Sequence, residues 1–220
     1  MLLLGLDTAT AVTTVALMRS VTHAAPEVLG ERSHLDPRGH GEVLPVQIDE
    51  VLRAAGAVPA DLDAIAVGRG PGAFTGLRVG LATAQAMGQA LRIPVYGAST
   101  LDVVAYGTGR DEPFAVATDA RRREFFWATY SRFDARSSPP TVGSPTAAHD
   151  ALSGMTVICP PGMPMIDGLV AAEGGHPTGS SLGRLVLSRL ERGQPLDAPT
   201  PLYLRRPDAT PASGHKSVLA

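Results

Sequence analysis

"LLGLDTATAVTTVALM", residues Leu3–Met18, sets the frame for everything that follows it. An aliphatic run reaches Asp7, four residues (Thr8–Ala11) interrupt it, and a β-branched run resumes at Val12. Aliphatic and β-branched residues in two short blocks around a brief polar break predict two strands, Leu2–Asp7 and Val12–Met18, joined as a hairpin. The pattern returns at an offset of 112 residues as "AVATDARRREFFWATY", Ala115–Tyr130, which places Asp119 where Asp7 stands. Strand, Asp, short turn, strand, written twice, predicts a duplicated α/β fold whose halves face each other across a cleft.

Working outward, "EVLGERSH" (Glu27–His34) supplies a third strand. His40–Gly56 then switches to helical period, with Leu44, Ile48, Val51, Leu52 and Ala55 on one face and Gly56 as a left-handed stop. Asp63–Gly68 is a buried strand, a second helix runs to about Leu91, "IPVYG" is a strand and "TLDVVAYG" a short helix. Gly107–Pro113 is punctuated like a domain boundary. The division expected is 1–107 for the first half, 108–206 for a smaller second half and 207–220 for a flexible tail. In the second half, Phe114–Asp119 and Glu124–Phe133 form a hairpin, and "DARSSPPTVGSPT" reads as loop. A strand near "MTVIC" follows, then a helix near "MIDGLVAAEG" and another at "SLGRLVLSRLERG".

Composition narrows the function. The 220 residues are 44% hydrophobic, enough for a proper core, and no apolar run approaches the ~20 residues needed to span a bilayer. "MLLLGL" has neither a basic flank nor a small-residue cleavage site, so a secretory signal is not expected. Cys159 is the only cysteine, which rules out an internal disulfide and fits a cytoplasmic location. Net charge is −2, whereas a chain that holds nucleic acid alone carries a basic excess. Lys216 is the only lysine, so chemistry that needs a buried lysine is excluded over nearly the whole length.

"VGRGPGAFTGLRVG" (Val67–Gly80) has the look of a phosphate cradle without its parts. A P-loop needs Gly five residues after Gly70 and then lysine; Thr75 stands there and no lysine follows. Gly68-x-Gly70-x-x-Ala73 matches a dinucleotide fingerprint, yet it follows a fourth strand, and the next strand offers no acid for a ribose. Past the loop, Gly76, Gly80, Ala84 and Gly88 recur every four residues, a smooth helical stripe. Helix-interior glycines cost about 1 kcal/mol each against alanine, so a close approach must offset them: packing on the chain's own sheet, or on a helix of a partner.

Other candidates have a plain and a functional reading. The histidines show no metal spacing, and His40 reads as a helix-start residue. Asp7 and Asp119 either cap turns or, with Thr8 and Thr10, hold a magnesium nucleotide across the cleft. "RRRE" (Arg121–Glu124) is either a solvated turn or a contact for RNA phosphate or an acidic partner.

Together, "LGLDTAT", "LPVQIDEVL", "DLDAIAVGRGPGAFTGLRVGLATAQ", "PVYGASTLDVVA", "DARRREFFW" and "PLYLRR" resemble the TsaB (YeaZ) family. The resemblance implies the actin-like ATPase superfold with two ribonuclease-H-like halves. It implies a scaffold or activator subunit in the addition of threonylcarbamoyl to adenosine beside the tRNA anticodon, one that is not itself an enzyme. The implied partners are TsaD as a heterodimer, TsaE, tRNA through the complex, and a homodimer when TsaD is absent. No cofactor of its own is implied, with weak ATP–magnesium binding at most at the complex interface. The partner surface maps onto His40–Ala55 and Thr75–Leu91, through Leu44, Ile48, Val51, Leu52, Gly76, Gly80, Thr83, Ala84 and Met87, on the order of 1,600 Å². TsaD-like enzymes carry His-x-x-x-His in the region that is Thr100–Gly109 here, and this stretch has no histidine. The superfold's Asp-x-Gly-Thr/Ser turn is Asp7-Thr8-Ala9-Thr10, and "CPPG" (Cys159–Gly162) stands where a Gly-rich turn is expected. The competing readings are a stand-alone ATPase or transferase using Asp7, Thr8, Thr10 and Asp119, and a metalloprotease.

Overall fold

The structure is a computed structural model, and it describes residues 1–21, 24–161, 163 and 169–205. Strands β1 (Leu2–Asp7) and β2 (Val12–Arg19) pair antiparallel, with Leu4 opposite Leu17 and Asp7 opposite Thr14. β3 (Glu27–Leu35) extends the hairpin antiparallel. After helix α1 (His40–Ala54), β4 (Ala64–Gly68) joins the far side of β1 in parallel. After helix α2 (Phe74–Leu91), β5 (Val95–Ala98) continues parallel to β4. The sheet order is β3-β2-β1-β4-β5.

The second sheet repeats this plan. β6 (Phe114–Asp119) and β7 (Phe125–Arg132) form the antiparallel hairpin, with Asp119 opposite Phe125. The short β8 (Ala135–Arg136) and β9 (Thr141–Gly143) both pair with β7. β10 (Thr156–Cys159) lies parallel to β6 and β11 (Val170–Glu173) parallel to β10. Each strand of the first sheet thus has a counterpart in the second, and the duplication read from the two Asp-tipped hairpins is present as two ribonuclease-H-like halves.

Alternation sorts the core into layers, because successive side chains of a strand face opposite sides. Leu4, Leu6, Val15 and Leu17 point to α1 and α2, where Leu44, Ile48, Val51, Leu77, Leu81 and Ala84 meet them. Leu3, Ala16, Met18, Ala64 and Ala66 point the other way, onto helix α5 (Gly179–Glu191) through Leu182, Leu185, Val186 and Leu187. Helix α3 (Thr100–Thr108) lies beside α5 and gives Leu101, Val104 and Ala105 to the second sheet's Phe114, Val116 and Tyr130. Helix α4 (Pro145–Leu152) closes the outer face of the second sheet with Ala148 and Leu152 against Trp127 and Val157.

Several expectations need correction. "DARSSPPTVGSPT" is not all loop: it holds β8, β9 and the first turn of α4, whose Ser144 hydroxyl accepts the Ala147 amide. Two- and three-residue strands fall below any detectable alternation. The helix expected at "MIDGLVAAEG" is wrong in its second part, because Val170–Glu173 form β11. Four residues at the edge of the sheet, paired with β10 alone, are too few to show a period of two; residues 164–168 of that stretch lie outside the described residues. The linear split at 108 also fails for α5, which is made by the C-terminal part of the chain yet packs on the first sheet. The following segment stays there as well, with Asp197 bridging Gly97 of β5 and Gln85 donating to the Pro199 carbonyl. The tail expected from 207 lies outside the described residues.

Candidate functional site

The carboxyl ends of the parallel strands converge on one cleft of about 330 Å³ between the halves, where open α/β sheets place their ligands. The first half contributes Ala9–Ala11, Leu35, Pro37 and Pro71–Ala73; the second contributes Thr118, Asp119, Arg121, Pro160, Pro161, Met163 and His176. Alanine and proline supply nearly half of the wall. Thr118 is 5% exposed and its Oγ1 has no hydrogen-bond partner among the described residues. Burial lowers the pKa of His176, favouring the neutral ring. In "CPPG", Pro160 and Pro161 line this cleft, and Gly162 lies outside the described residues.

Asp7 does not reach the cleft. It is 0% exposed, its Oδ1 accepts the Ala9 amide at 2.7 Å, and its Oδ2 accepts the Thr100 hydroxyl at 2.8 Å. Gly68 leaves it room, since a Cβ there would collide with the carboxyl. Burial pushes the Asp7 carboxyl up to about 6, against the opposing pull of the Ala9 and Thr100 hydrogen bonds. Thr8 is equally committed: its Oγ1 donates to the Gly76 carbonyl at 2.7 Å and accepts the Gly80 amide at 3.0 Å. Thr10 lines the cleft while its Oγ1 accepts the Val12 amide. Asp119 also lines it, and its Oδ1 accepts the Arg121 amide at 2.7 Å. Both aspartates therefore cap the turn two residues on, the Asx geometry that such positions favour. Of the four residues considered for a magnesium nucleotide, the structure brings Thr10 and Asp119 to the cleft and seals Asp7 and Thr8 beneath it.

The glycine stripe also turns inward. Added Cβ atoms would come 2.6 Å from the Thr8 carbonyl at Gly76 and 2.5 Å from Thr8 Oγ1 at Gly80. The stripe thus lets α2 sit on the β1–β2 turn of its own chain. Leu44, Ile48, Val51, Leu52 and Ala84 are buried in the same core, which corrects their placement on an outward partner surface. Thr83 and Met87 are half-buried and border the outer face. His40 opens α1 and is 4% exposed; its Nδ1 and Thr13 Oγ1 share a hydrogen bond at 2.7 Å, and burial lowers its pKa.

Two clusters escaped sequence reasoning. Asp102 of α3 is buried and joins the halves: Tyr130 Oη donates to it at 3.0 Å, Arg136 Nη1 at 3.1 Å and Arg189 Nη2 at 3.0 Å. At the start of α2, Phe74 stacks on Tyr203 with centroids 5.0 Å apart, and the Arg78 guanidinium lies 3.8 Å above Phe74. Phe74 and Arg78 are one helical turn apart on α2, but Tyr203 is separated from them, and the partners of Asp102 from it, by dozens of residues in sequence, so no local spacing marks either cluster.

Among the described residues no group of three or more His, Cys, Asp or Glu is placed to hold a metal, and no helix is long and apolar enough to cross a membrane. Residues 28–185 match the family model described as TsaD: tRNA N6-adenosine threonylcarbamoyltransferase. An uncharacterised protein of Mycobacterium tuberculosis is 41% identical over 208 residues, 94% of this chain and 93% of that one. The TsaB protein of Escherichia coli, named for tRNA threonylcarbamoyladenosine biosynthesis, is 36% identical over 135 residues, 60% of this chain and 56% of its own. The match to an uncharacterised Mycobacterium leprae protein, 42% identical, likewise spans 56% of that relative. The solved structure of YeaZ from Pseudomonas aeruginosa superposes with a TM-score of 0.74 at 27% identity, covering 92% of this chain and 99% of that one. With a family model matched over well more than half of its length, and TsaB and YeaZ proteins similar in sequence and in structure, the chain belongs to the TsaD-type threonylcarbamoyl family, in its TsaB/YeaZ group.

Proposed function

We propose that this chain is a binding subunit in the synthesis of threonylcarbamoyladenosine on tRNA, one that docks and supports a TsaD-type transferase and does not itself carry the transfer. The observation that carries this reading is Asp7. A magnesium nucleotide in the cleft needs carboxylate oxygens that face it. Here the strand-end carboxylate of the first half has no exposed surface and both oxygens are occupied. Its counterpart Asp119 caps its own turn and lies 3.5 Å from Arg121 Nη1. On this reading the chain needs no cofactor of its own, and TsaE and tRNA meet it through the complex.

The docking face lies on the outer sides of α1 and α2. Val46 is 56% exposed, Ala82 and Ala86 are exposed one turn apart, and Val79, Thr83 and Met87 are half-buried between them. α2 contains no acidic residue, and small side chains let a partner helix approach closely. The same face serves for self-pairing when the transferase is absent. Ala86→Arg and Val46→Glu are expected to abolish co-purification with the TsaD-type subunit while leaving the circular dichroism spectrum intact. Undiminished recovery in both variants would refute the docking face, and ATP turnover by the isolated chain would refute the supporting role.

A further inference from the structure

The β6–β7 turn is built in an unexpected way. Arg121, Arg122 and Arg123 all adopt left-handed backbone, with φ of 63°, 56° and 58°. That conformation crowds the Cβ of any L-residue against the following carbonyl, and glycine would adopt it without that penalty. Three successive arginines bear the strain at an exposed hairpin tip beside the cleft. Strain of this kind persists only where the surrounding structure enforces it, and it clusters at binding and catalytic sites.

The tip is continuous with the aromatic cluster. Arg205 Nη1 donates to the Ala120 carbonyl at 3.1 Å and pairs with Glu124. Two residues earlier, a span of at most about 7 Å, Tyr203 stacks on Phe74 and its Oη accepts from Arg78 Nε at 2.9 Å. Phe74 and Tyr203 are 39% and 40% exposed and are the exposed aromatics among the described residues. Under the tip, Thr118 lines the cleft, and its buried hydroxyl has no partner among the described residues.

We propose that the ridge running from the Arg121–Arg123 tip to the Phe74–Tyr203 stack is an RNA-contacting surface, the guanidinium groups taking backbone phosphates and the rings taking an unpaired base. This deepens the role proposed above and rests on it for the identity of the RNA. Guanidinium groups match phosphate geometry bidentately. Half-exposed aromatic faces flanked by arginine are what unpaired bases stack on. An acidic peptide would satisfy the arginines and leave the rings without a purpose. The overall charge of −2 is no obstacle, because the basic excess is local and the transferase shares the RNA.

The test is fluorescence anisotropy with a labelled anticodon stem-loop RNA, titrated with the full chain in complex with the TsaD-type subunit at several salt concentrations. Arg121→Gly with Arg123→Gly should weaken binding about tenfold or more and flatten the log–log salt slope by about one unit per lost phosphate contact. Its melting temperature should be no lower than the parent's, since glycine relieves the backbone. Phe74→Ala should weaken binding roughly tenfold with the salt slope unchanged. Affinity within twofold of the parent in both variants overturns the proposal, as does absence of RNA binding by the parent complex. Loss of the transferase subunit with unchanged RNA affinity also overturns it, by making the tip a protein contact. Because Ala86→Arg probes docking separately, a failure of either idea is told apart from a failure of the other.

Discussion

A carboxyl group with no exposed surface is favoured in its neutral form, and Asp7 is held near the balance point. Its pKa of about 6 exceeds the ordinary 3.8, so between these values the folded chain holds more protons than the unfolded one. The sign follows: stability falls as pH rises from about 4 to about 6, by about 3 kcal/mol, and the cost stays in place above that. Urea unfolding of the parent and of Asp7→Asn at pH 4 and pH 7 should show the parent losing more than the variant across the interval. Parallel profiles would remove Asp7 from the account. The capping role of Asp7 was legible, because aspartate at a strand end before a short turn has that habit. Its burial was not, because that depends on Thr100, 93 residues away, and on Gly68 making room. The direction of the Gly76–Gly80 stripe was undecided for a similar reason: smoothness allows close approach to any neighbour, and the Thr8 hydroxyl between Gly76 and Gly80 is what selects this one.

Secondary elements were legible where their period was long and one-sided. α1 shows its buried face in Leu44, Ile48, Val51 and Leu52, and the duplicated hairpins announce themselves through composition alone. β8, β9 and β11 were lost because a strand of two to four residues has no period to read, and because a run such as Val170–Glu173 suits a helix equally well until a parallel neighbour claims it. α3 and α5 are held together by charge as well as by apolar contact. Asp102 is 5% exposed, so deleting it strands the Tyr130 hydroxyl, which burial already pushes well above its ordinary pKa, beside two guanidinium groups. Asp102→Ala should cost about 3 kcal/mol in urea unfolding, and Arg136→Ala less than about 1, since its side chain is 37% exposed. Equal costs would show that the cluster is not organised around Asp102.

At the scale of the whole molecule the two halves were legible and their dependence on one another was not. Nothing in a sequence ties "SLGRLVLSRLERG" to a sheet made about 170 residues earlier. Yet Leu182, Leu185, Val186 and Leu187 cover Leu3, Ala16, Met18 and Ala66. A fragment ending at Thr108 keeps β1 to β5 but leaves that face open to water. It should aggregate or bind a hydrophobic dye, and a separate peptide spanning 175–205 should restore a cooperative melt. A soluble, cooperatively melting 1–108 fragment would show that the first half stands alone. The same placement of α5 sets an order on the ribosome. The last residue of α3 and the last of α5 are separated by about 80 residues of synthesis, on the order of ten seconds at ~5–20 residues per second. Through that interval the nascent first sheet has one face clothed by α1 and α2 and the other bare. The protein therefore completes its first-made half last, and a chaperone that recognises apolar strands has a defined window in which to hold it.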